Sequence, residues 1–277
     1  MQVIGSGSVT YMLLNGIVVP SEVQLDDNIC LQPADASHLD FHTAIGTCRR
    51  PDDIAVVAAY IPRISAQLKI TANTPDELAI RAWNSAWDVL ILSAVFHTEI
   101  GFNLQSDTTA SEIHETSHLH ATSYHMRGLT SDNPHELSPE ESTWIRTHFT
   151  SARELLSDDR FQTAIHCLAS YRWHSMPRIK LAVLWAGIEG VFGASSEIRF
   201  RISLYIASFL HHEDPIKRKD TFETIKKLYN IRSAAVHGSK IKGNISGAVD
   251  ESAEILRQIL LQCVIYKSLP NENDLVP

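Results

Sequence analysis

The sequence predicts an α+β protein in which an N-terminal mixed α/β sheet domain, residues 1–137, precedes an all-α helical bundle, residues 138–277. Three observations support this prediction: strand-like segments occur only before residue 138, helical periodicity continues after it, and a capped turn lies between them. The chain has 277 residues, 44% of them hydrophobic and 20% charged. This length is enough for two domains that each have their own core.

The first half contains short apolar segments separated by Pro, Asp and Gly, which is the pattern of strands. One segment differs, because residues 74–97 begin with a Thr cap followed by Pro75 and keep helical spacing throughout. We therefore expect a sheet with a single long helix. The predicted strands are TYMLLNGIVV, NICLQPA, IAVVAAYI, ISAQLKITA, EIGFNLQ and HLHATSYHMRG.

The predicted domain boundary lies in SDNPHELSPEES, residues 131–142. Ser138 suits an N-cap, Pro139 suits the first helical position, and Glu141 completes a capping box. A helical domain should begin there. After this point strand signals cease, and the spacing of apolar residues predicts helices near residues 139–156, 159–172, 177–193, 198–212, 217–237 and 250–268.

The two halves differ strongly in charge. Residues 1–137 contain 6 Lys and Arg against 16 Asp and Glu, a net charge of −10, whereas residues 138–277 contain 18 against 16, a net charge of +2. A cationic cluster occupies residues 217–242, which contain eight Lys and Arg residues and two acidic residues. The cluster is either a solvated helix face or a contact surface for a polyanion. Besides Arg232 it contains Lys217, Arg218, Lys219, Lys226, Lys227, Lys240 and Lys242.

Several classes of protein are disfavoured by the composition. Four scattered cysteines without CxxC spacing argue against a zinc ribbon or a disulfide framework, so we expect reduced thiols. The longest apolar runs are too short to cross a bilayer, and the N-terminus has no charged region followed by an apolar one. We expect a cytoplasmic protein without a cofactor.

His118 and His120 would share one face of a strand and could hold a metal. No further metal ligands are evident in the sequence, so histidines at the edge of the sheet are the favoured interpretation.

The segment NIRSAAVHG, residues 230–238, places an arginine where a core residue is expected. Arg232 follows Ile225 by seven residues and Tyr229 by three, so it falls in the apolar stripe of a helix that Gly238 ends as its C′ residue. A guanidinium in that position needs a partner, because an unpaired buried charge is very costly. Glu189, in the apolar setting LWAGIEGVFG, needs one as well; Arg199 and Arg201 are alternative partners for it.

Arg232, four intervening residues, His237 and the closing Gly238 resemble the signature of the HEPN superfamily. The resemblance extends through RFQTAIHCLASYRWHSMPRIKLAVLWAGIEGVFG, RFRISLYIASFL and KKLYNIRSAAVHG, which look like successive helices of the Apea-like HEPN branch. It covers roughly residues 138–268. The helix order is more specific than the six-residue motif.

This resemblance implies a metal-independent endoribonuclease that dimerises through its helical domain and acts in antiviral defence or as a toxin. His237 would be a general acid or base, Arg232 would hold phosphate, and Glu189 would orient Arg232. Ser233 departs from the Asn, Asp or His that many active members carry after the arginine. The cationic cluster would steer RNA, and the acidic first half would bind a trigger or a neutralising partner.

Alternatives remain open at this point. Arg232 either faces a dimer cleft and meets phosphate, or pairs internally with an acid such as Glu189 while His237 only caps the helix. Correspondingly, the second half is either a nuclease or a non-catalytic HEPN module that dimerises and binds RNA or a nucleotide, with a first half that recognises a partner. A third reading makes the first half a metal enzyme through its histidines.

Overall fold

The computed structural model describes residues 7–124, 133–193, 198–241, 243–271 and 275. The chain forms two compact units, Met1–Thr150 and Ser151–Pro277. The first unit is built on a six-stranded antiparallel sheet and the second is helical, so the predicted α+β class is confirmed. Within the described part of the chain, no helix combines the length and apolarity that crossing a membrane requires.

The sheet of the first unit has the strand order β3-β4-β5-β1-β6-β7. A short parallel pair, β2 with β8, joins Ile17 to His135. Central strands β1 and β5 pair over their whole length, with Met12 opposite Leu68 and Leu13 opposite Gln67. The strands are β1 (Val9–Asn15), β2 (Ile17–Val18), β3 (Val23–Asp26), β4 (Ile29–Pro33), β5 (Ile64–Thr71), β6 (Gly101–Ser106), β7 (Leu119–Ala121) and β8 (His135–Glu136).

Helices α1, α2 and α3 pack against this sheet. Helices α1 (Phe41–Gly46) and α2 (Asp53–Tyr60) form an apolar cluster with Leu13 and Leu104 of the sheet. Helix α3 (Pro75–Val95) contacts β1 and β5 but contributes no residue to that cluster. Its start is as predicted, because Thr74 accepts the backbone N–H of Glu77.

One predicted strand, IAVVAAYI, is wrong, because residues Asp53–Tyr60 form helix α2. Its buried residues are Asp53, Val56, Val57 and Tyr60, which have the spacing of a helix rather than the alternation of a strand. The run is rich in alanine, a strong helix former, and the branched residues had suggested a strand. The predicted strand at HLHATSYHMRG is shorter than expected within the described residues, and its last four residues lie outside them.

The helices of the second half lie where the sequence places them. Ser138 and Glu141 form the predicted capping box: the Glu141 N–H donates to Ser138 Oγ at 3.1 Å and the Ser138 N–H to Glu141 Oε2 at 2.9 Å. The helix that starts there crosses the division between the two units. The helices are α4 (Pro139–Leu155), α5 (Asp159–Ser170), α6 (Pro177–Phe192), α7 (Ile198–Leu210), α8 (Pro215–Val236) and α9 (Ile245–Tyr266).

Helix α6 is the centre of the second unit, because it packs against α5, α7, α8 and α9. Trp185 is fully buried and its indole N–H donates to Ser252 of α9 at 3.1 Å. Gly187 allows close approach: a Cβ there would lie 3.0 Å from Cys167 Cβ, 3.0 Å from Leu256 Cδ2 and 3.3 Å from the Ala164 backbone. The position of α6 therefore depends on a residue without a side chain.

The two glycines of α6 allow a matched test of this packing. We expect Gly187→Ala to lower the free energy of unfolding by about 1–3 kcal/mol, because its methyl group overpacks the contact with α5 and α9. Gly190→Ala should raise it by about 0.5–1 kcal/mol, because that position has open space and alanine is the better helix former. Urea denaturation measures both. Equal effects of the two substitutions would contradict the close approach.

Candidate functional site

The C-terminal end of α8 has the geometry that its sequence predicts. The backbone N–H of His237 donates to the Ser233 carbonyl at 3.0 Å, and Gly238 follows with φ of 71°. The Ser239 N–H then donates back to the Ala234 carbonyl at 2.9 Å. This is the 6→1 bond of a Schellman motif, so Gly238 is the C′ residue as expected.

Arg232 forms an ion pair with Glu189 of α6. Its Nη2 lies 2.8 Å from Glu189 Oε2, and the two side chains are 19% and 23% exposed. Glu189 is thus the partner that the inward-facing guanidinium of Arg232 requires, and both residues belong to the candidate site. Arg199, a proposed alternative partner of Glu189, instead directs Nη1 toward Asn230 Oδ1 at 3.4 Å.

The pair leaves hydrogen-bonding capacity unused. Arg232 Nε and Glu189 Oε1 are buried atoms for which the protein provides no hydrogen-bond partner. Burial raises the pKa of the Glu189 carboxyl, and the charge of Arg232 offsets only part of that rise. A buried polar atom without a hydrogen bond is rare in native proteins and calls for an explanation, of which a functional role is one, so these two atoms mark the pair as a candidate site.

Aromatic side chains surround the ion pair. The Tyr229 ring packs edge-on against Trp185, with 5.5 Å between ring centroids. The Arg232 guanidinium carbon lies 5.6 Å from the Tyr229 centroid. Trp185 and Glu189 are one turn apart on α6, so this helix meets α8 through an aromatic contact and an ionic contact side by side.

Arg178 holds the end of α8, a role that no sequence pattern indicates. Its Nη1 donates to the carbonyls of Ala234 and Ala235, both at 3.1 Å, and its Nη2 donates to the Ser239 carbonyl at 2.9 Å. The last carbonyls of a helix lack intrahelical partners and carry the negative end of its dipole. Arg178 thus fixes the backbone on both sides of His237.

His237 itself is exposed, and it lies away from Arg232. Five residues along a helix correspond to a rotation of about 140°, so Arg232 faces α6 while His237 faces solvent. Ser233 is partly buried and its carbonyl accepts from His237. Among the four predicted catalytic residues, one chain therefore brings Arg232 and Glu189 together, and His237 stands apart. Val236, beside His237 at the end of α8, is 49% exposed.

The cationic cluster divides into paired and unpaired side chains. Lys217 lies 3.7 Å from Asp214, Lys226 lies 3.6 Å from Glu223, and Arg218 donates to the His212 carbonyl at 3.2 Å. No such bond is recorded for the exposed side chains of Lys219, Lys227 and Lys240 within the described residues. Lys242 lies outside those residues. The predicted cations do not share one face.

The histidines of the first unit take part in an internal polar cluster. Asp53, which is 1% exposed, accepts the Tyr124 hydroxyl at 2.8 Å and lies 3.4 Å from His120 Nδ1. Burial, and secondarily the charge of Arg49, lower the pKa of His118. Within the described part of the chain no group of three or more His, Cys, Asp and Glu side chains is placed to hold a metal ion. His125 is outside that part.

Comparison with protein-family models, with curated proteins and with solved structures finds no match for this chain.

The raised pKa of Glu189 predicts a pH-dependent effect of Glu189→Gln. Because the native carboxyl holds its proton more tightly than the usual value of 4.5, its contribution to stability is present below pH 4.5 and is lost as the pH rises through the native pKa. The variant lacks this loss. Its free energy of unfolding, relative to the wild type, should therefore increase from acidic to neutral pH in urea denaturation. A difference that is constant with pH would contradict this prediction.

The clamp at the end of α8 predicts that Arg178→Ala destabilises the second unit by about 2 kcal/mol, since three charge-assisted hydrogen bonds are lost. Amide hydrogen exchange should also accelerate at residues 237–241. Arg160→Ala is the matched control, because Arg160 pairs with Asp158 at the surface and should lose less than about 1 kcal/mol. If both variants lose the same stability, Arg178 is an ordinary surface arginine.

Proposed function

We propose that the second unit is a HEPN-type domain that cleaves RNA without a metal ion. The observation that carries this proposal is the arrangement at the end of α8. An exposed histidine follows, by five residues, an arginine whose guanidinium is held by a carboxylate. Imidazole transfers protons near neutral pH, and a guanidinium binds phosphate.

The reaction is an internal transfer within the RNA. A base removes the proton of the ribose 2′-hydroxyl, the 2′-oxygen attacks the adjacent phosphorus, and the bond from phosphorus to the 5′-oxygen breaks. An acid gives the leaving 5′-oxygen a proton, and the products carry a 2′,3′-cyclic phosphate and a 5′-hydroxyl. His237 serves as the base or the acid. Arg232 neutralises charge on the phosphate.

A second copy of the chain completes this site. One chain provides a single His237, whereas the reaction needs a proton acceptor and a proton donor. Apolar residues beside the end of α8 are unusually exposed: Met176 and Ile179, which flank the Arg178 clamp, are 58% and 43% exposed, and Val236 is 49% exposed. An apolar patch next to a half-site favours a homodimer across this end.

The first unit is proposed to regulate this activity in the cytoplasm. It is strongly acidic, with a net charge of −10 over residues 1–137, whereas the second half is slightly basic. An acidic domain repels RNA and suits a protein trigger or a neutralising partner rather than the substrate. Control of an RNA-cleaving domain by such a partner fits a toxin or an antiviral defence protein.

One observation favours a second function, a non-catalytic RNA- or nucleotide-binding dimer. Arg232 already spends one donor on Glu189, and Ser233 stands where many active relatives of this type carry Asn, Asp or His. In this alternative the ion pair only orients α8, and His237 caps its end.

Cleavage of total RNA in EDTA separates the two functions. We expect the wild type to leave 2′,3′-cyclic phosphate ends and His237→Ala to be slower by about 10²–10⁴-fold. Arg232→Ala should lose activity as well, but it also leaves Glu189 buried without its partner. Arg232→Lys is the better matched variant, because it keeps a cation beside Glu189 and removes the planar fork.

All proteins are compared at matched dimer content and after circular dichroism shows equal helix content. Inactivity of the wild type, with candidate triggers added, would favour the binding module. Equal cleavage by all variants would place the activity outside this site.

A further inference from the structure

An exposed aromatic residue of α7 packs against α8. Phe200 of α7 is 56% exposed and packs edge-on against Phe222 of α8, with 5.7 Å between centroids and 75° between planes. Lys226 Nζ lies 5.6 Å from the Phe222 centroid. Large exposed aromatic side chains next to cations are what proteins use to stack unpaired bases. This pair plays no part in the catalytic chemistry proposed above.

The aromatic pair lies at one end of a continuous stripe on α8. Successive members are three or four residues apart, which places them on one face of the helix. From its first to its last member the stripe covers eighteen residue steps, which correspond to about 27 Å along the helix. Its members are Lys219, Phe222, Lys226, Asn230, Ser233 and His237.

The polar groups on this stripe favour an anion. Lys219 and Lys226 are cations, and Arg199 of α7 reaches the stripe through its bond to Asn230 at 3.4 Å. Glu223 is the acid beside it, and its carboxylate lies 3.6 Å from Lys226. The side of α8 opposite to the stripe contains the buried residues Ile225, Leu228 and Ala235. On the stripe itself, three residues are exposed and three are partly buried, and α7 borders it through Phe200 and Arg199. Other cations, including Lys227, lie off the stripe, about 100° around the helix from Lys226.

We propose that this stripe is the track along which the RNA strand lies, with the aromatic pair contacting one of its unpaired bases. A base stacks on Phe200 and Phe222, phosphates contact Lys219, Lys226 and Arg199, and the strand continues to His237. The inference deepens the proposed function and rests on it. A duplex keeps its bases paired and stacked, so it cannot use the aromatic pair, whereas a single strand offers every base.

Binding of a 2′-O-methyl oligonucleotide tests the track separately from cleavage, because this probe lacks the attacking hydroxyl and stays intact. A fluorescent probe of about twelve nucleotides, within the site sizes of single-strand binders, is titrated into the dimer and followed by anisotropy. Phe200→Ala should weaken binding about tenfold, as expected for one lost stacking contact, and Phe200→Trp should restore it. Ile216→Ala, an exposed apolar residue on α8 outside the stripe, should bind as the wild type does.

The salt dependence distinguishes cations on the stripe from cations beside it. Lys226→Gln should reduce the slope of log affinity against log salt by about 0.7, the value for one phosphate contact with a single strand. Lys227→Gln should leave the slope unchanged. A preformed duplex of the same sequence should bind more weakly than the single strand.

Several outcomes would overturn the track. These are absence of probe binding by the wild type, equal effects of the Lys226 and Lys227 variants, unchanged binding by Phe200→Ala, or preference for the duplex. Dissociation of the dimer by Phe200→Ala in analytical ultracentrifugation would instead show that a second copy covers this face. If the probe binds as expected but natural RNA is not cleaved, the proposed track is supported and only the proposed nuclease activity is rejected.

Discussion

The ion pair between Glu189 and Arg232 determines how α8 is oriented. Removing two charges from water is costly unless they pair well, and here one oxygen and one nitrogen stay without partners. We infer that the pair contributes to the orientation of α8 rather than to the free energy of unfolding. Rotation of α8 about its axis would separate Arg232 from Glu189 and Tyr229 from Trp185. With that rotation fixed, the apolar residues of α8 face the core and the stripe that ends at His237 lies on the opposite side.

Much of the fold could be predicted because it is encoded locally. The helices after residue 138 follow from apolar spacing and from caps such as Ser138 with Glu141, whose atoms lie within one turn. The error at α2 has the same origin, since eight apolar residues without clear polar intervals fit a strand or a helix. Only the sheet and the neighbouring helices decide which residues of such a run are buried.

The contact between Arg232 and Glu189 could be predicted because each residue is a charge in an apolar setting. A charge in an apolar stripe requires a partner, and the same requirement applied to Glu189 identifies the pair from both sides. Arg178 and Phe200 could not be found in this way. Arg178 follows a proline at a helix start, where an arginine is ordinary, and its three acceptors are more than fifty residues away. Phe200 matters only because α7 places it beside Phe222 and Lys226.

Arg232 and His237 lie on different sides of α8, which limits what the two side chains can do together. A spacing of five residues turns one side chain toward the core and the other toward solvent, so the two cannot approach one phosphate from a single flat face. Arg232 has a structural role, because its ion pair with Glu189 orients α8. Arg178 holds the turn that follows His237. In the proposed nuclease, chemistry at His237 would therefore use groups from outside its own chain: a second histidine from another copy and an RNA strand that lies along α8.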